Sequence, residues 1–193
     1  CNKSITIFSY KGEERVVRYD THMATSVAIG ATLSFISGYP FSFGYVTGIL
    51  LGSLLPDIDE PNSYIGRRSL GVAKFVKKKL GHRGLTHSFV AWIIISLLYF
   101  LFPYSFLLGI SMGYLFHLMG DYFTHQGVRL FLPFDNKRYK APFTFKVGSS
   151  FENVIFWIAM FSFVLLLING LALSFVYSTI QLLSSMIIRI GAM

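Results

Sequence analysis

The chain has 193 residues, of which 53% are apolar and only 13% charged, and its formal net charge is +8. Soluble domains carry about 25% charged residues, so this composition points to a membrane protein and away from a soluble globular domain. Its single cysteine, Cys1, excludes an internal disulfide framework.

Residues 1–20 read as a polar N-terminal arm with two short β-like runs around "KGEE", and no cleavable signal peptide is expected there. Residues 21–193 read as one helical membrane domain. Lys, Arg, Asp and Glu are absent from Thr21 to Pro56, from Ser88 to the residue before Asp121, and from Asn153 to Ile188. A bilayer core takes about 20 apolar residues per helical span, and each block is long enough for a hairpin. "SGYP" (37–40) divides the first block into helices over about Met23–Ile36 and Ser42–Leu55. "FPYS" (102–105) divides the second into 87–100 and 106–123. "NG" (169–170) divides the third into 154–168 and 171–188, unless that block is one bent helix with a partial one. The expectation is an all-α, polytopic integral membrane protein with about four to six membrane helices in hairpins.

The basic residues orient these hairpins. Of 17 Lys/Arg, seven lie in 57–87, five in 124–150 and four in the N-terminal arm, whereas the three tips hold none. Under the positive-inside rule the basic loops face the cytoplasm and the tips face away. The basic loops are then topology signals and attractors of anionic lipid. No nucleic-acid partner is expected, since no aromatic-interleaved basic motif is present.

The ionisable residues gather at that same end. His22 opens the first helix, "LLPDIDEP" (54–61) follows the second, and "GHRGLTHS" (81–88) precedes the third. His117 and Asp121 end the fourth, and Glu152 starts the fifth. Ionisable groups at a bilayer are costly and mark function. His117 and Asp121, four apart, share a helix face, and His125 extends that stripe only if the helix runs past it. Asp57 and Asp59 point the same way if Pro56 starts an extended segment. Thr86 is the expected N-cap of the third helix. Taken singly, each histidine is an interfacial hydrogen-bonding residue, and Glu152 is a helix-start carboxylate favoured by the dipole. Together they form a candidate site of imidazole and carboxylate ligands. Such ligands suit zinc, or manganese or iron at a more oxygen-rich site, with two or three ions. Arg83 offers a fork for a phosphate oxygen.

"PDID", "GHRGLTHS", "GYLFHLMGDYFTHQGV" and the Gly148-x-x-x-Glu152 spacing resemble, in the same order, the YdjM-like family of bacterial inner-membrane proteins. Members are described as membrane-bound, metal-dependent hydrolases, some under DNA-damage (LexA) control. The resemblance covers about residues 22–155. The family is in turn similar at a distance to zinc-dependent phospholipase C and P1-type nucleases. It implies a metal set of His22, Asp57, Asp59, His82, His87, His117, Asp121 and Glu152. Asp57 or Glu152 would orient or deprotonate the nucleophile, and Arg83 would stabilise developing charge. Phosphoester hydrolysis at the cytoplasmic face of the inner membrane is the expected activity, on a phospholipid or lipid-linked phosphate. Two positions depart from the pattern: Glu60 stands where the family usually has His, and His125 where it usually has Pro. The competing classes are a non-catalytic metal-binding membrane protein (a transporter or sensor) and a structural protein whose polar cluster is a hydrogen-bonded network.

Overall fold

The computed structural model describes residues 19–80 and 84–191, with side chains except at 80, 171–178 and 182–191. Most of the expected arm (1–18), together with His82 and Arg83, lies outside the described residues. Six α-helices run in chain order: α1 Tyr19–Ser37, α2 Phe43–Gly52, α3 Val72–Leu80, α4 Phe89–Leu101, α5 Ser105–Tyr122 and α6 Ser150–Gly191. Three short 3₁₀ helices, Leu55–Asp59, Gly66–Arg68 and Leu85–His87, lie between α2 and α4. No strand is present among the described residues, so the all-α expectation holds.

The first two uncharged blocks fold as hairpins at the expected tips. Gly38, at φ 70°, ends α1 in the left-handed conformation that glycine tolerates. Ser42 caps α2 by accepting from the Tyr45 N–H at 3.2 Å. The expected capping role of Thr86 falls instead to Ser88, whose hydroxyl accepts from the Ala91 N–H at 3.3 Å.

The third block departs from the hairpin expectation, because α6 runs unbroken through Asn169–Gly170. A glycine inside a helix costs only about 1 kcal/mol relative to alanine, less than an apolar sequence loses by abandoning its backbone bonds. The Asn169 side chain also bonds back, donating from Nδ2 to the Leu165 carbonyl at 2.9 Å. Helix α3 was not expected either, as the basic stretch 57–87 read as loop.

Two pairings organise the helices. The first joins α2 to α5 through glycines four apart on each. A Cβ added at Gly48 would lie 2.2 Å from the Phe106 carbonyl oxygen, and one at Gly52 would lie 2.2 Å from that of Ile110. Reciprocally, a Cβ at Gly109 or Gly113 would lie 2.2 Å from the Tyr45 or Ile49 carbonyl oxygen. The two backbones therefore touch, in the small-residue packing used by membrane helices. The second pairing sets α1 against α6, with Ala24, Ala28 and Ala159 packed against Phe156, Met160 and Phe163. Helix α4 joins α5 through Trp92, whose Nε1 donates to the Ser111 carbonyl at 3.1 Å, and through the Ser96–Ser111 hydroxyl pair at 2.7 Å.

The outward faces of α4 and α6 are apolar: Ile94, Leu97, Phe100, Trp157, Ile158 and Phe161 are all exposed. Exposed apolar area on this scale marks contact with lipid or a partner. Among the described residues, Ser150–Gly170 is long and apolar enough to cross a membrane, and Phe89–Leu101 is apolar but shorter.

Candidate metal centre

The glycine contact on α5 leads directly into the site. Gly109, Gly113, His117 and Asp121 recur every four residues and so lie along one stripe. Where the glycines end, the imidazole of His117 meets the end of α2. Its Nδ1 lies 2.6 Å from the Ser53 carbonyl oxygen. A carbonyl only accepts, so Nδ1 carries a proton, and in the neutral ring this leaves Nε2 as the nitrogen for a ligand role.

Asp57 and Asp59 do not lie on an extended segment. Pro56, with its preset φ, starts a 3₁₀ helix over Leu55–Asp59. With about three residues per turn, side chains two apart diverge. The two carboxylates accordingly reach opposite nitrogens of His87. Asp59 Oδ2 lies 3.2 Å from Nδ1, and Asp57 Oδ1 lies 3.6 Å from Nε2. Asp59 also accepts from the Thr86 hydroxyl, and the Thr86 carbonyl accepts from the Tyr114 hydroxyl.

Four ligand atoms then follow one another in a ring. Asp57 Oδ1 is 3.7 Å from His117 Nε2, and Asp121 Oδ2 is 3.5 Å from His87 Nε2 and 3.7 Å from His117 Nε2. A tetrahedral zinc site with bonds of about 2.0–2.2 Å has ligand-to-ligand edges of roughly 3.3–3.6 Å, and the four neighbouring separations of 3.5–3.7 Å lie close to that range. Asp57, His87 and His117 all lie within 4.8 Å of one another by their ligand atoms. His87 Nε2, His117 Nε2 and Asp57 Oδ1 are buried and make no hydrogen bond among the described residues. Buried polar atoms are normally satisfied, and three converging exceptions fit a site that could hold a cation.

A second group, His22, His117 and Asp121, adjoins the first. The His22 ring stacks on that of His117, with centroids 3.9 Å apart and planes 15° apart. His22 Nε2 faces the other carboxylate oxygen, Asp121 Oδ1, at 3.7 Å. Asp121 thus presents one oxygen to each group. Gly120 makes space for His22, since a Cβ there would lie 3.0 Å from the ring.

Electrostatics agree with a cation site. Burial alone would push the His87 pKa down, but the flanking Asp57 and Asp59 carboxylates and the charge of Asp121 outweigh it and push it up to about 10. Burial likewise opposes the ionised Asp57, yet His117, His87 and His22 beside it bring its pKa down to about 2. The His87 imidazolium thus answers the negative charge of Asp57, Asp59 and Asp121.

The structure thus brings together His22, Asp57, His87, His117 and Asp121, with Asp59 behind His87. Glu152 is fully buried, and its Oε2 accepts the Gly148 N–H at 2.6 Å, which engages one oxygen in starting α6. Glu60, one of the two departures from the family pattern, accepts from Lys77 Nζ at 2.9 Å and from the Asn62 N–H at 3.1 Å. His125 lies beyond the end of α5, exposed, with Nδ1 2.7 Å from the Thr144 hydroxyl. Sequence reasoning overlooked Ser53, Tyr114 and Gly120. "GILLG" and "GISMG" (48–52 and 109–113) were the available signal for the α2–α5 contact.

The chain is 37% identical over 95 residues to the inner membrane protein YdjM of Escherichia coli, covering 46% of this chain and 48% of that one. The match to YdjM of Shigella flexneri has the same extent. The chain therefore spans about half the length of these two relatives. YvsG of Bacillus subtilis, named as an uncharacterized protein, is 28% identical over 137 residues, 70% of this chain and 84% of that one. No solved structure matches. The model of the YdjM inner membrane protein family matches residues 18–191, α1 to α6 entire, and the chain belongs to that family.

Proposed function

We propose that this protein is a multi-pass inner-membrane hydrolase that uses divalent metal, zinc above all, to cleave a phosphoester at the cytoplasmic face. The observation that carries the metal reading is the ring of Asp57 Oδ1, His87 Nε2, Asp121 Oδ2 and His117 Nε2, with neighbours 3.5–3.7 Å apart. Two imidazole nitrogens and two carboxylate oxygens form a donor set that suits zinc. When bound, such an ion supplies Lewis-acid polarisation of a phosphoryl oxygen and a more acidic water.

The chain's own groups have distinct tasks. Ser53 O and Asp59 fix the tautomers of His117 and His87. Asp121 connects the two ligand groups, so that His22 can share a second ion with its Oδ1. Asp57 and Glu152 are the candidates for orienting the nucleophile, and Arg83 for the developing negative charge. A site at the loop-bearing end of a membrane-embedded bundle meets headgroups first, which favours a phospholipid or lipid-linked phosphate.

One observation favours a non-catalytic metal protein instead: Asp57, the most exposed of the five clustered side chains, is only 3% exposed. Elemental analysis of the purified wild type and of His117→Ala, followed by assay on a panel of lipid phosphoesters, decides between the readings. Bound divalent metal, lost in the variant, with turnover in the wild type is expected. A wild type without metal, equally stable in chelator, would sink the metal reading. Metal without turnover would leave the non-catalytic reading.

A further inference from the structure

Helix α3 takes no part in the site, yet its composition calls for a partner. Val72–Leu80 contains Lys74, Lys77, Lys78 and Lys79. One side packs inward: Ala73 is 1% exposed, and Lys77 is tied to Glu60 at 2.9 Å, next to the 3₁₀ helix that carries Asp57 and Asp59. At about 100° per residue, Val72, Phe75, Lys74, Lys78 and Lys79 fall on the remaining face, and all five are exposed. Phe75 is 64% and Val72 50% exposed. Just ahead of the helix, Leu70 is fully exposed and held at φ 50°, a conformation that a non-glycine residue adopts rarely. The backbone there turns an apolar side chain outward. Arg67 is exposed on the same connection. Lys74, Lys78 and Lys79 have no carboxylate partner among the described residues.

Exposed apolar tips set among lysines are the pattern of an element resting in a membrane interface, where the apolar groups reach the acyl boundary and the ammonium groups stay with lipid phosphates. Placement agrees. The segment bearing α3 joins the end of α2 to the start of α4, opposite the tips at 38–42 and 102–104. We propose that Leu70 and α3 dock on anionic phospholipid headgroups, with Leu70, Val72 and Phe75 entering the interface and Lys74, Lys78 and Lys79 engaging the phosphates. This rests on the bundle being membrane-embedded but not on its being a hydrolase. Negative surface charge attracts basic segments within a Debye length, so the docking is selective for anionic lipid and weakened by salt.

The lone cysteine makes the test direct. In a Cys1→Ser background of the full chain, a nitroxide is placed at Phe75→Cys or, as reference, at Trp157→Cys on the exposed face of α6. Collision with oxygen and with a water-soluble nickel complex is then measured in nanodiscs of phosphatidylcholine, with or without phosphatidylglycerol. The Trp157 label should favour oxygen in both discs. The Phe75 label should favour oxygen with phosphatidylglycerol and nickel without it or in high salt. Lys74→Glu, Lys78→Glu and Lys79→Glu together should abolish the difference. A Phe75 label equally aqueous, or equally buried, in both discs overturns the proposal. So does spin–spin broadening confined to discs holding two chains, which assigns the face to a second copy. A nickel-accessible Trp157 label means instead that the embedding reading has failed.

Discussion

The two sides of the candidate metal centre are built to different standards. On one side, His117 and Asp121 stand on a helix whose glycines touch the backbone of α2, and His117 and His87 each have a fixed partner on Nδ1. On the other side, His22 comes from α1, is stacked on His117 and fits into a gap left by Gly120. The first side is held by backbone contact and hydrogen bonds, the second by ring packing and a missing methyl. A cation should therefore bind more firmly between Asp57, His87, His117 and Asp121 than beside His22.

The most damaging way to break this contrast is at the helix contact. Gly113→Ala puts a Cβ where the Ile49 carbonyl oxygen is 2.2 Å away, and two backbones must separate. A loss of about 1–3 kcal/mol, as for core overpacking, together with loss of all bound metal, is expected from thermal unfolding and elemental analysis. If Gly113→Ala keeps its metal, the glycine contact does not position the site.

Next comes Asp59→Asn, which keeps the shape but weakens the acceptor on His87 Nδ1. A 10–100-fold fall in metal affinity is typical for such a partner and should appear in a chelator-competition titration with zinc. Unchanged affinity would mean that Asp59 does not tune His87.

A smaller and more selective effect is expected for Gly120→Ala, whose Cβ would lie 3.0 Å from the His22 ring. It should lower the metal stoichiometry while leaving the tighter ion in place. Loss of both ions would show that the two sides are not separable. Smallest of all is Lys77→Ala. Its pairing with Glu60 leaves Lys77 43% exposed, and such pairs contribute about 0–1 kcal/mol. Metal content should not change, and a change would place Glu60 within the site.

Local chemistry made much of this legible in the sequence. "SGYP" and "FPYS" carry the glycine or proline that breaks helices, and both tips are uncharged, so two hairpins could be read. His22, Asp57, His87, His117 and Asp121 could be read because ionisable residues in an apolar chain are few and collect at one end. What escaped depends on tertiary context. The "NG" in α6 is a turn signal that an apolar helix overrides. The 3₁₀ form of "PDID", which separates the tasks of Asp57 and Asp59, is not dictated by four residues. The glycine pairs of α2 and α5 acquire meaning only once the two helices are known to meet.

The candidate ligands Asp57, His87 and His117 come from the segment after α2, the turn before α4 and the end of α5. Asp57, His87 and His117 are spaced thirty residues apart, so an ion seated among them would close two successive loops of that length. This is the office a disulfide performs elsewhere, restricting the unfolded chain by closing long loops, and a chain with one cysteine has no internal disulfide to perform it. Whatever chemistry the ion serves, it would also be a removable staple, and chelation would then loosen the ends of three helices at once.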